Sequence, residues 1–272
     1  MAVAVNGKVA VVTGASRGVG RAIALRLAEH GATVALGARS VDRLRAVEQE
    51  IIANGGKARA IPLDAARFES VQSFVNEVQQ ELGTPAILIN NAATFGPFAL
   101  FQEADPLRWA ETIEVNVLGP YYLTRLFLPE MLKLDWGRIV NVSSAAGVFP
   151  PIKAGSAYQT SKVALNHFTR CLAVELEGTG ITANAIHPGE VLTEMWDHIR
   201  REVAQTGPEG DFLRGWTVTL DQVGGDPPEK AVDLVMRLVD DDAGHISGHF
   251  HFIKDGILAP MPTWSESPPL PG

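Results

Sequence analysis

Residues 9–30 read VAVVTGASRGVGRAIALRLAEH, and this stretch decides the fold. A short, β-branched apolar run reaches Thr13, a glycine-rich turn follows, and a segment with helical periodicity begins near Gly18. Three glycines in the order G-x-x-x-G-x-G let the chain turn tightly and let its backbone approach a ligand closely. The amides and dipole at the start of the new helix then face an anion such as pyrophosphate. The pattern predicts a phosphate-binding turn, and a glycine-rich turn that binds nothing is the alternative.

The same alternation continues along the chain. Seven short apolar runs predict strands, at residues 9–12, 33–36, 60–61, 87–89, 139–142, 182–186 and 250–253. Segments with helical periodicity separate them, near residues 18–30, 41–54, 68–82, 106–134, 157–177 and 227–240. Asp105 and Asp226 each precede a proline, which predicts an N-cap acid before a proline in the first helical turn. We therefore predict an α/β fold of Rossmann type, a doubly wound, seven-stranded parallel sheet with helices on both faces, in a single domain over residues 1–256.

Composition and charge exclude several classes of protein. The chain has 272 residues and a net charge of −8, which argues against a general nucleic-acid binder, because such proteins are usually basic. No apolar run approaches the roughly 20 residues needed to span a bilayer, and no basic-then-apolar signal pattern opens the chain. The single cysteine, Cys171, has no internal disulfide partner, which fits a reducing compartment. We predict a cytoplasmic protein with no nucleic-acid partner and no membrane span.

Tyr158 and Lys162 are four residues apart in a helical segment and therefore share a helix face. A tyrosine hydroxyl has a pKa of about 10, and a nearby ammonium lowers that pKa by stabilising the phenolate. The strand that ends at Val142 runs into Ser143 and Ser144, at the sheet edge where parallel α/β proteins bind ligands. A serine at that edge can hold a substrate carbonyl while Tyr158 passes it a proton. A surface tyrosine–lysine pair is the alternative that the spacing alone leaves open.

In their order along the chain, these motifs resemble those of the short-chain dehydrogenase/reductase family, over residues 7–256. They are Thr13-Gly14-x-x-x-Gly18-x-Gly20, Asn90-Asn91-Ala92-Ala93, Asn116, Ser144, Tyr158-x-x-x-Lys162 and Pro188-Gly189-x-Val191-x-Thr193. The resemblance implies an oxidoreductase that interconverts a carbonyl and a secondary alcohol, with a nicotinamide cofactor and a small-molecule substrate. It also implies a homo-oligomer, a tetramer or a dimer, built from the helices at residues 106–134 and 157–177.

The resemblance further implies a role for each motif. Tyr158 is the general acid in reduction and the base in oxidation, and Ser144 polarises the carbonyl. Lys162 lowers the pKa of Tyr158 and binds the nicotinamide ribose. Asn116 holds a kink in its helix and a water that feeds protons to Lys162. The implied cofactor contacts come from the phosphate loop and from the ends of later strands: Gly14, Ser16, Arg17, Gly18, Val19, Gly20, Asp64, Ala65, Asn91, Ala92, Pro188, Gly189, Val191 and Thr193.

The chain departs from the family pattern at two places. Ala93 stands where the family usually has glycine, which leaves less room near the cofactor. The spacing of 14 residues between Ser144 and Tyr158 is one longer than usual, so an inserted residue within 148–151 leaves Ser143 as the alternative serine.

The end of the second strand predicts which nicotinamide cofactor binds. An acid at this place binds the ribose 2′-hydroxyl of NAD, whereas an arginine suits the 2′-phosphate of NADP. Here Ala38 holds the place of the acid, Arg39 and Ser40 follow it, and Arg17 lies in the phosphate loop. Two guanidinium groups and a hydroxyl form a phosphate clamp, so we predict NADP(H). Two solvated surface arginines are the alternative.

Two regions break the alternation of strands and helices. Residues 193–226, here called the flap, show one short helical pattern and then chain interrupted by glycine and proline. Residues 257–272 contain five prolines and predict an extended C-terminal tail. The flap carries four large apolar side chains: Met195, Trp196, Phe212 and Trp216. They predict a local core, an apolar lid over the substrate with Trp196 as a contact, or both, and a lid favours a bulky apolar ketone.

Other interpretations are weaker. Three histidines, His245, His249 and His251, lie near the last strand, but no cysteine is nearby and the chemistry needs no metal, so no metal site is predicted. A sensor or scaffold that only binds the cofactor has no need of four catalytic residue types. Enoyl reduction, another nicotinamide reaction, is associated in related proteins with a different tyrosine spacing.

Overall fold

The computed structural model describes residues 4–254 and 256–258. Eight strands of these ranges form one sheet, with bounds β1 Val9–Thr13, β2 Thr33–Ala38, β3 Lys57–Pro62, β4 Ile87–Asn90, β5 Gly137–Val142, β6 Ile181–His187, β7 Phe250–Phe252 and β8 Gly256–Leu258. Their order across the sheet is β3-β2-β1-β4-β5-β6-β7-β8. The prediction of seven parallel strands is confirmed, and β8 is added at the edge, antiparallel to β7. The predicted tail therefore begins inside β8, and its residues 259–272 lie outside the described residues.

Helices cover both faces of the sheet. Their bounds are α1 Gly18–Glu29, α2 Val41–Ala53, α3 Phe68–Glu81, α4 Pro106–Ile113, α5 Gly119–Met131, α6 Ser156–Glu175, α7 Glu194–Ala204, α8 Asp211–Val223 and α9 Pro228–Leu238. Successive residues of a strand point to opposite faces, so in β1 Ala10 and Val12 pack with α1, α2 and α9, while Val11 packs with α3, α5 and α6. Burial on both faces explains why the central strands are apolar at nearly every position.

The helix predicted over residues 106–134 is divided. It starts as predicted, because the Asp105 carboxylate accepts hydrogen bonds from the amides of Leu107 at 2.8 Å and Arg108 at 3.2 Å. A π-helical turn, Glu114–Leu118, separates α4 from α5, and a 3₁₀ turn ends the segment. The matching prediction for Asp226 is wrong: α9 begins one residue later than a cap at 226 requires. The Asp226 side chain instead accepts a hydrogen bond from the amide of Glu190 at 3.1 Å.

The flap contains two helices, α7 and α8, where the sequence predicted one. The prediction missed α8 because Gly215 lies inside it and Gly207-Pro208 precedes it. Burial of Leu213 and Leu220, seven residues apart on one face, offsets the cost of that glycine. No helix within the described ranges is long and apolar enough to cross a membrane.

Candidate active site

The carboxyl ends of four neighbouring strands, β1, β4, β5 and β6, meet at one edge of the sheet. The chain order reverses between β1 and β4, and such a reversal opens a crevice outside the strand ends. The phosphate loop follows β1, Asn91 follows β4, Ser144 follows β5 and Pro188 follows β6. Residues from four distant parts of the sequence therefore line one crevice.

The backbone of the phosphate loop is closely packed, and the helix that follows it has no side-chain cap. Gly14 has φ +65°, and a Cβ there would lie 2.8 Å from the side-chain nitrogen of Asn91 and 3.0 Å from the Cα of Ala92. The Asn91 amide group donates to the carbonyl of Thr13 at 2.9 Å, which ties β4 to the loop. No side chain caps α1, which begins directly after Arg17. No side chain therefore occupies the place that the sequence predicts for an anion, and the anion itself stays a prediction.

Tyr158 lies half-buried in the first turn of α6. Its ring stacks on Phe95, with centroids 3.9 Å apart and planes at 16°. The Ser144 side chain is near enough to the Tyr158 hydroxyl to lower its pKa, whereas the buried hydroxyl of Ser143 has no partner among the described residues. The structure thus brings Ser144 and Tyr158 together. Burial raises the pKa of Tyr158 above its usual range, the charge of Glu190 adds to that rise, and the Ser144 side chain opposes it.

Lys162 lies one helical turn beyond Tyr158 and is fully buried. Its Nζ donates to the carbonyl of Val142 at 3.0 Å and lies 5.4 Å from the centroid of the Tyr158 ring. Burial lowers the pKa of Lys162 from 10.5 to about 7. Burial of Tyr158 acts against the lowering of its pKa that was expected from Lys162, and that role of Lys162 stays a prediction.

Asn116 lies in the π-helical turn, so the predicted kink is present. Its carboxamide accepts from the amide of Thr94 and donates to the Thr94 carbonyl, both at 2.8 Å. It also donates to the hydroxyl of Ser161 at 2.9 Å, which in turn donates to the backbone carbonyl of Tyr158 at 2.7 Å. This chain of bonds links the kink to the helix that carries Tyr158. The predicted water remains a prediction.

The arginines predicted to hold a 2′-phosphate lie on the surface beside the phosphate loop. Arg17 forms an ion pair with Glu194, the first residue of α7, and Arg43 donates to the same carboxylate oxygen at 2.6 Å. Arg39 lies 3.8 Å from the carboxylate of Glu111. Arg43 was not predicted as a contact of the 2′-phosphate. Its position four residues after Arg39, in the first turn of α2, could have indicated it.

The other predicted contacts lie at neighbouring strand ends. Asp64 and Ala65 follow β3, and the Asp64 carboxylate accepts from the amide of Ala66 at 3.2 Å. Ser40 precedes α2 without capping it through its side chain. A Cβ at Gly18 would lie 3.0 Å from a methyl carbon of Thr193, so the phosphate loop and the start of the flap are in close contact.

The flap residues divide between a local core and the active-site side. Trp196 is buried inside the flap, where its indole donates to Asp221 at 3.2 Å and packs edge-on against Trp216 at 4.7 Å. Its predicted contact with substrate therefore stays a prediction. Phe95 and Phe98, which the sequence analysis missed, pack against this same core. Through its stacking on Tyr158, Phe95 links the flap core to α6.

The structure also places Phe212 of the flap and two of the histidines near the last strand. Phe212 is largely exposed and lines an open cavity of about 540 Å³ between the flap and the loop after β5. His251 is buried beside Asn184, and the rings of His249 and His251 lie 6.0 Å apart. Within the described ranges, no group of three or more His, Cys, Asp or Glu side chains is arranged to hold a metal ion.

Comparisons with known proteins agree with this geometry. The family model for short chain dehydrogenases matches residues 8–204. A short chain dehydrogenase of Pseudocercospora fijiensis is 42% identical over 194 residues, which cover 70% of this chain and 62% of that protein. A 3-oxoacyl-[acyl-carrier-protein] reductase of Aquifex aeolicus is 34% identical over 95% of this chain and 100% of its own. L-Sorbose reductase of Gluconobacter frateurii, solved with NADPH and L-sorbose, is 31% identical, with a TM-score of 0.81 over 94% of this chain and 98% of its own.

Proposed function

Because the chain belongs to the short-chain dehydrogenase/reductase family, we propose that it reduces a carbonyl with NADPH, or oxidises the alcohol with NADP, using Tyr158 as the general acid or base. It is an oxidoreductase of CH–OH and C=O groups that uses a nicotinamide cofactor. The observation that carries the finer proposal is the placement of Tyr158 next to Ser144, with the buried ammonium of Lys162 5.4 Å from the centroid of its ring.

The crevice fits the proposed cofactor. The close approach of Gly14 to Asn91 and Ala92 leaves no room for a side chain, and the uncapped start of α1 offers amides to a pyrophosphate. The buried ammonium of Lys162 has one hydrogen-bond acceptor, the Val142 carbonyl, and it can donate two more bonds, as ribose hydroxyls require. When bound, the cofactor supplies or accepts the hydride.

Each residue then has a defined task in reduction. Ser144 donates a hydrogen bond to the carbonyl oxygen and holds it against Tyr158. Tyr158 keeps its proton near neutral pH, because burial raises its pKa, and it transfers that proton to the same oxygen. The ammonium of Lys162 stabilises the phenolate that the transfer leaves behind. In oxidation, the phenolate takes the proton back from the alcohol.

Arg17, Arg39 and Arg43 support NADP(H) over NAD(H). They are the cations that surround the end of β2, where Ala38 replaces the acid of an NAD-specific site. Guanidinium groups bind phosphate oxygens with paired, charge-assisted hydrogen bonds. L-Sorbose reductase, which shares the fold, was solved with NADPH.

Replacement of one hydroxyl tests the mechanism. Tyr158→Phe keeps the ring and its stacking on Phe95, and we expect turnover to fall by at least about 100-fold, the lower end of what general acid–base catalysis contributes. Loss of NADPH absorbance against a panel of ketones measures turnover, and NADPH fluorescence measures cofactor binding, which should change little. Tyr122→Phe, at a half-buried tyrosine that packs edge-on against Phe68, is the matched control. Turnover of Tyr158→Phe within a few-fold of the wild type would remove Tyr158 from the mechanism.

The proposal includes a homo-oligomer in the cytoplasm. Leu107, Tyr121 and Val163 are large apolar side chains exposed on α4, α5 and α6, the helices predicted to form the interface. Cys171 is exposed and unpaired, which supports a reducing compartment. Light scattering after size exclusion should give a dimer or tetramer for the wild type and a smaller species for Val163→Glu. A wild-type monomer at micromolar concentration would contradict the oligomer.

A further inference from the structure

Glu190 is an acidic residue in the crevice that the proposed mechanism does not use. It lies in the loop after β6, between Gly189 and Val191, at the strand ends that form the crevice. Its backbone is held on both sides by Asp226: the Glu190 amide donates to the Asp226 carboxylate at 3.1 Å, and the Asp226 amide donates to the Glu190 carbonyl at 2.9 Å. The backbone of Glu190 is therefore fixed by bonds that leave its own carboxyl group free.

A short chain of contacts connects this carboxyl group to Ser144. The amide of Ala145, the residue after Ser144, donates to Nδ1 of His187 at 3.2 Å. A ring nitrogen that accepts a hydrogen bond carries no proton, so the proton of the neutral imidazole is on Nε2. Nε2 faces the Glu190 carboxylate at 3.7 Å, which is beyond hydrogen-bond distance. Burial lowers the pKa of His187 to about 4, so the ring is neutral at physiological pH.

The charge of the Glu190 carboxyl group acts on the Tyr158 hydroxyl. Burial and the neighbouring charge of Asp226 raise the pKa of Glu190, Lys254 opposes that rise, and the charge of Glu190 in turn raises the pKa of Tyr158. About a third of the Glu190 side chain stays exposed, so a ligand in the crevice can reach it. The crevice that would hold the carbonyl at Ser144 and Tyr158 therefore also contains a partly exposed carboxyl group that accepts no hydrogen bond from the described residues.

We propose that Glu190 determines specificity by binding a hydroxyl group of the substrate close to the reacting carbonyl, which makes the substrate a hydroxy ketone and the product a diol or polyol. This inference rests on the proposed function, because it places the carbonyl at Ser144 and Tyr158. A hydroxyl group suits this position better than an ammonium does. It donates to a carboxylate and accepts from a carboxylic acid, so it pairs with Glu190 in either protonation state.

The test compares ketones that differ only in their hydrogen-bond donor. Each set contains a hydroxy ketone, its methoxy analogue and the unsubstituted ketone: α-hydroxyacetophenone, α-methoxyacetophenone and acetophenone in one, and 4-hydroxybutan-2-one, 4-methoxybutan-2-one and butan-2-one in the other. We expect wild-type kcat/KM to favour the hydroxy over the methoxy compound by about 10-fold or more in at least one set, as a charge-assisted hydrogen bond contributes. In Glu190→Leu this ratio should fall to within about threefold of unity.

Two further variants make the result specific. Glu190→Gln keeps the shape and an acceptor oxygen but loses the charge, so its hydroxy-to-methoxy ratio should fall between those of the wild type and Glu190→Leu. If the leucine variant does not fold, the glutamine variant alone tests the role of Glu190. Glu229→Leu replaces an exposed acid of α9 and should keep the wild-type ratio. A ratio near unity in the wild-type enzyme for both sets, or an unchanged ratio in the Glu190 variants, would overturn the assignment. Wild-type protein that oxidises NADPH with none of these ketones contradicts the proposed function itself, whereas turnover without a hydroxyl preference contradicts only Glu190.

Discussion

Replacement of Lys162 by methionine should make the cofactor-free protein more stable while it removes activity. Methionine has nearly the same length as lysine and carries no charge. In the structure the ammonium of Lys162 is fully buried with one acceptor, the Val142 carbonyl at 3.0 Å. Burial of a charge with so little compensation is unfavourable for folding. A methionine removes that cost and loses one hydrogen bond, worth about 1 kcal/mol.

The pKa sets the size and the sign of the effect. A fall in the pKa of Lys162 from 10.5 to about 7 corresponds to roughly 4 kcal/mol near neutral pH, at about 1.4 kcal/mol for each pH unit. After subtraction of the lost hydrogen bond, we expect Lys162→Met to raise the free energy of unfolding by about 3 kcal/mol at neutral pH. Between the two pKa values the unfolded chain binds the proton more tightly than the folded protein does, so wild-type stability rises with pH. The advantage of the variant should therefore shrink by about 2 kcal/mol between pH 7 and about pH 9.

Urea unfolding of both proteins at several pH values, without cofactor, measures this difference directly. The comparison cancels other titrating groups, because they are common to both proteins. Lys133→Met is the control: this lysine is exposed beside Glu130, and its replacement should change the free energy of unfolding by no more than about 0.5 kcal/mol. The argument is refuted if Lys162→Met is less stable than the wild type at neutral pH, or if its advantage does not change with pH.

Three further predictions concern the cofactor site and the flap. Ala38→Asp with Arg39→Leu should shift the preference from NADPH towards NADH by roughly 10- to 150-fold in relative affinity, since a charge-assisted contact is worth about 1.5–3 kcal/mol; equal affinity of the wild type for both cofactors would contradict the clamp. Glu194→Gln removes the carboxylate that pairs with Arg17 and Arg43, so it should lower the dissociation constant for NADPH. The change should be only roughly two- to fivefold at low salt, because exposed ion pairs are weak, and a fluorescence titration in high salt should show no difference. Trp196→Ala should lower the free energy of unfolding by about 3–5 kcal/mol, whereas Phe212→Ala, at an exposed position, should change it by no more than about 0.5 kcal/mol; equal effects would mean that the flap has no core of its own.

Much of the fold and the centre of the site could be predicted, because their determinants are local. The β-branched run at residues 9–12 and the glycines that follow it specify a strand, a turn and a helix within about 20 residues, a scale that periodicity can detect. Asp105 before a proline specified the start of α4 in the same way. Tyr158 and Lys162 share a helix face by spacing alone, so their proximity in the structure needed no tertiary information.

The features that were missed depend on contacts between distant parts of the chain. Asp226 has the sequence context of an N-cap, but the amide of Glu190, 36 residues away, takes its carboxylate. Glu194 lies 151 residues from Arg43, and their ion pair has no sequence signal. α8 contains Gly215, which has a low helix propensity. The sequence does not reveal how far burial against α7 offsets the cost of this glycine.

Because of the π-helical turn at Glu114–Leu118, the geometry of the site depends on the number of residues in this segment. A bond from residue i to i+5 encloses one residue more than an α-helical bond, so the turn holds a surplus residue. Deletion of one residue within α5 rotates everything beyond it by about 100° and turns Phe127 out of the core. Deletion within the turn itself restores a regular helix and keeps Phe127 in place, while the carboxamide of Asn116 loses its bonds to Thr94 and Ser161. The turn is therefore a point where a change in length preserves the core but alters the site, so a homologue one residue shorter here is expected to fold without the bonds that Asn116 makes.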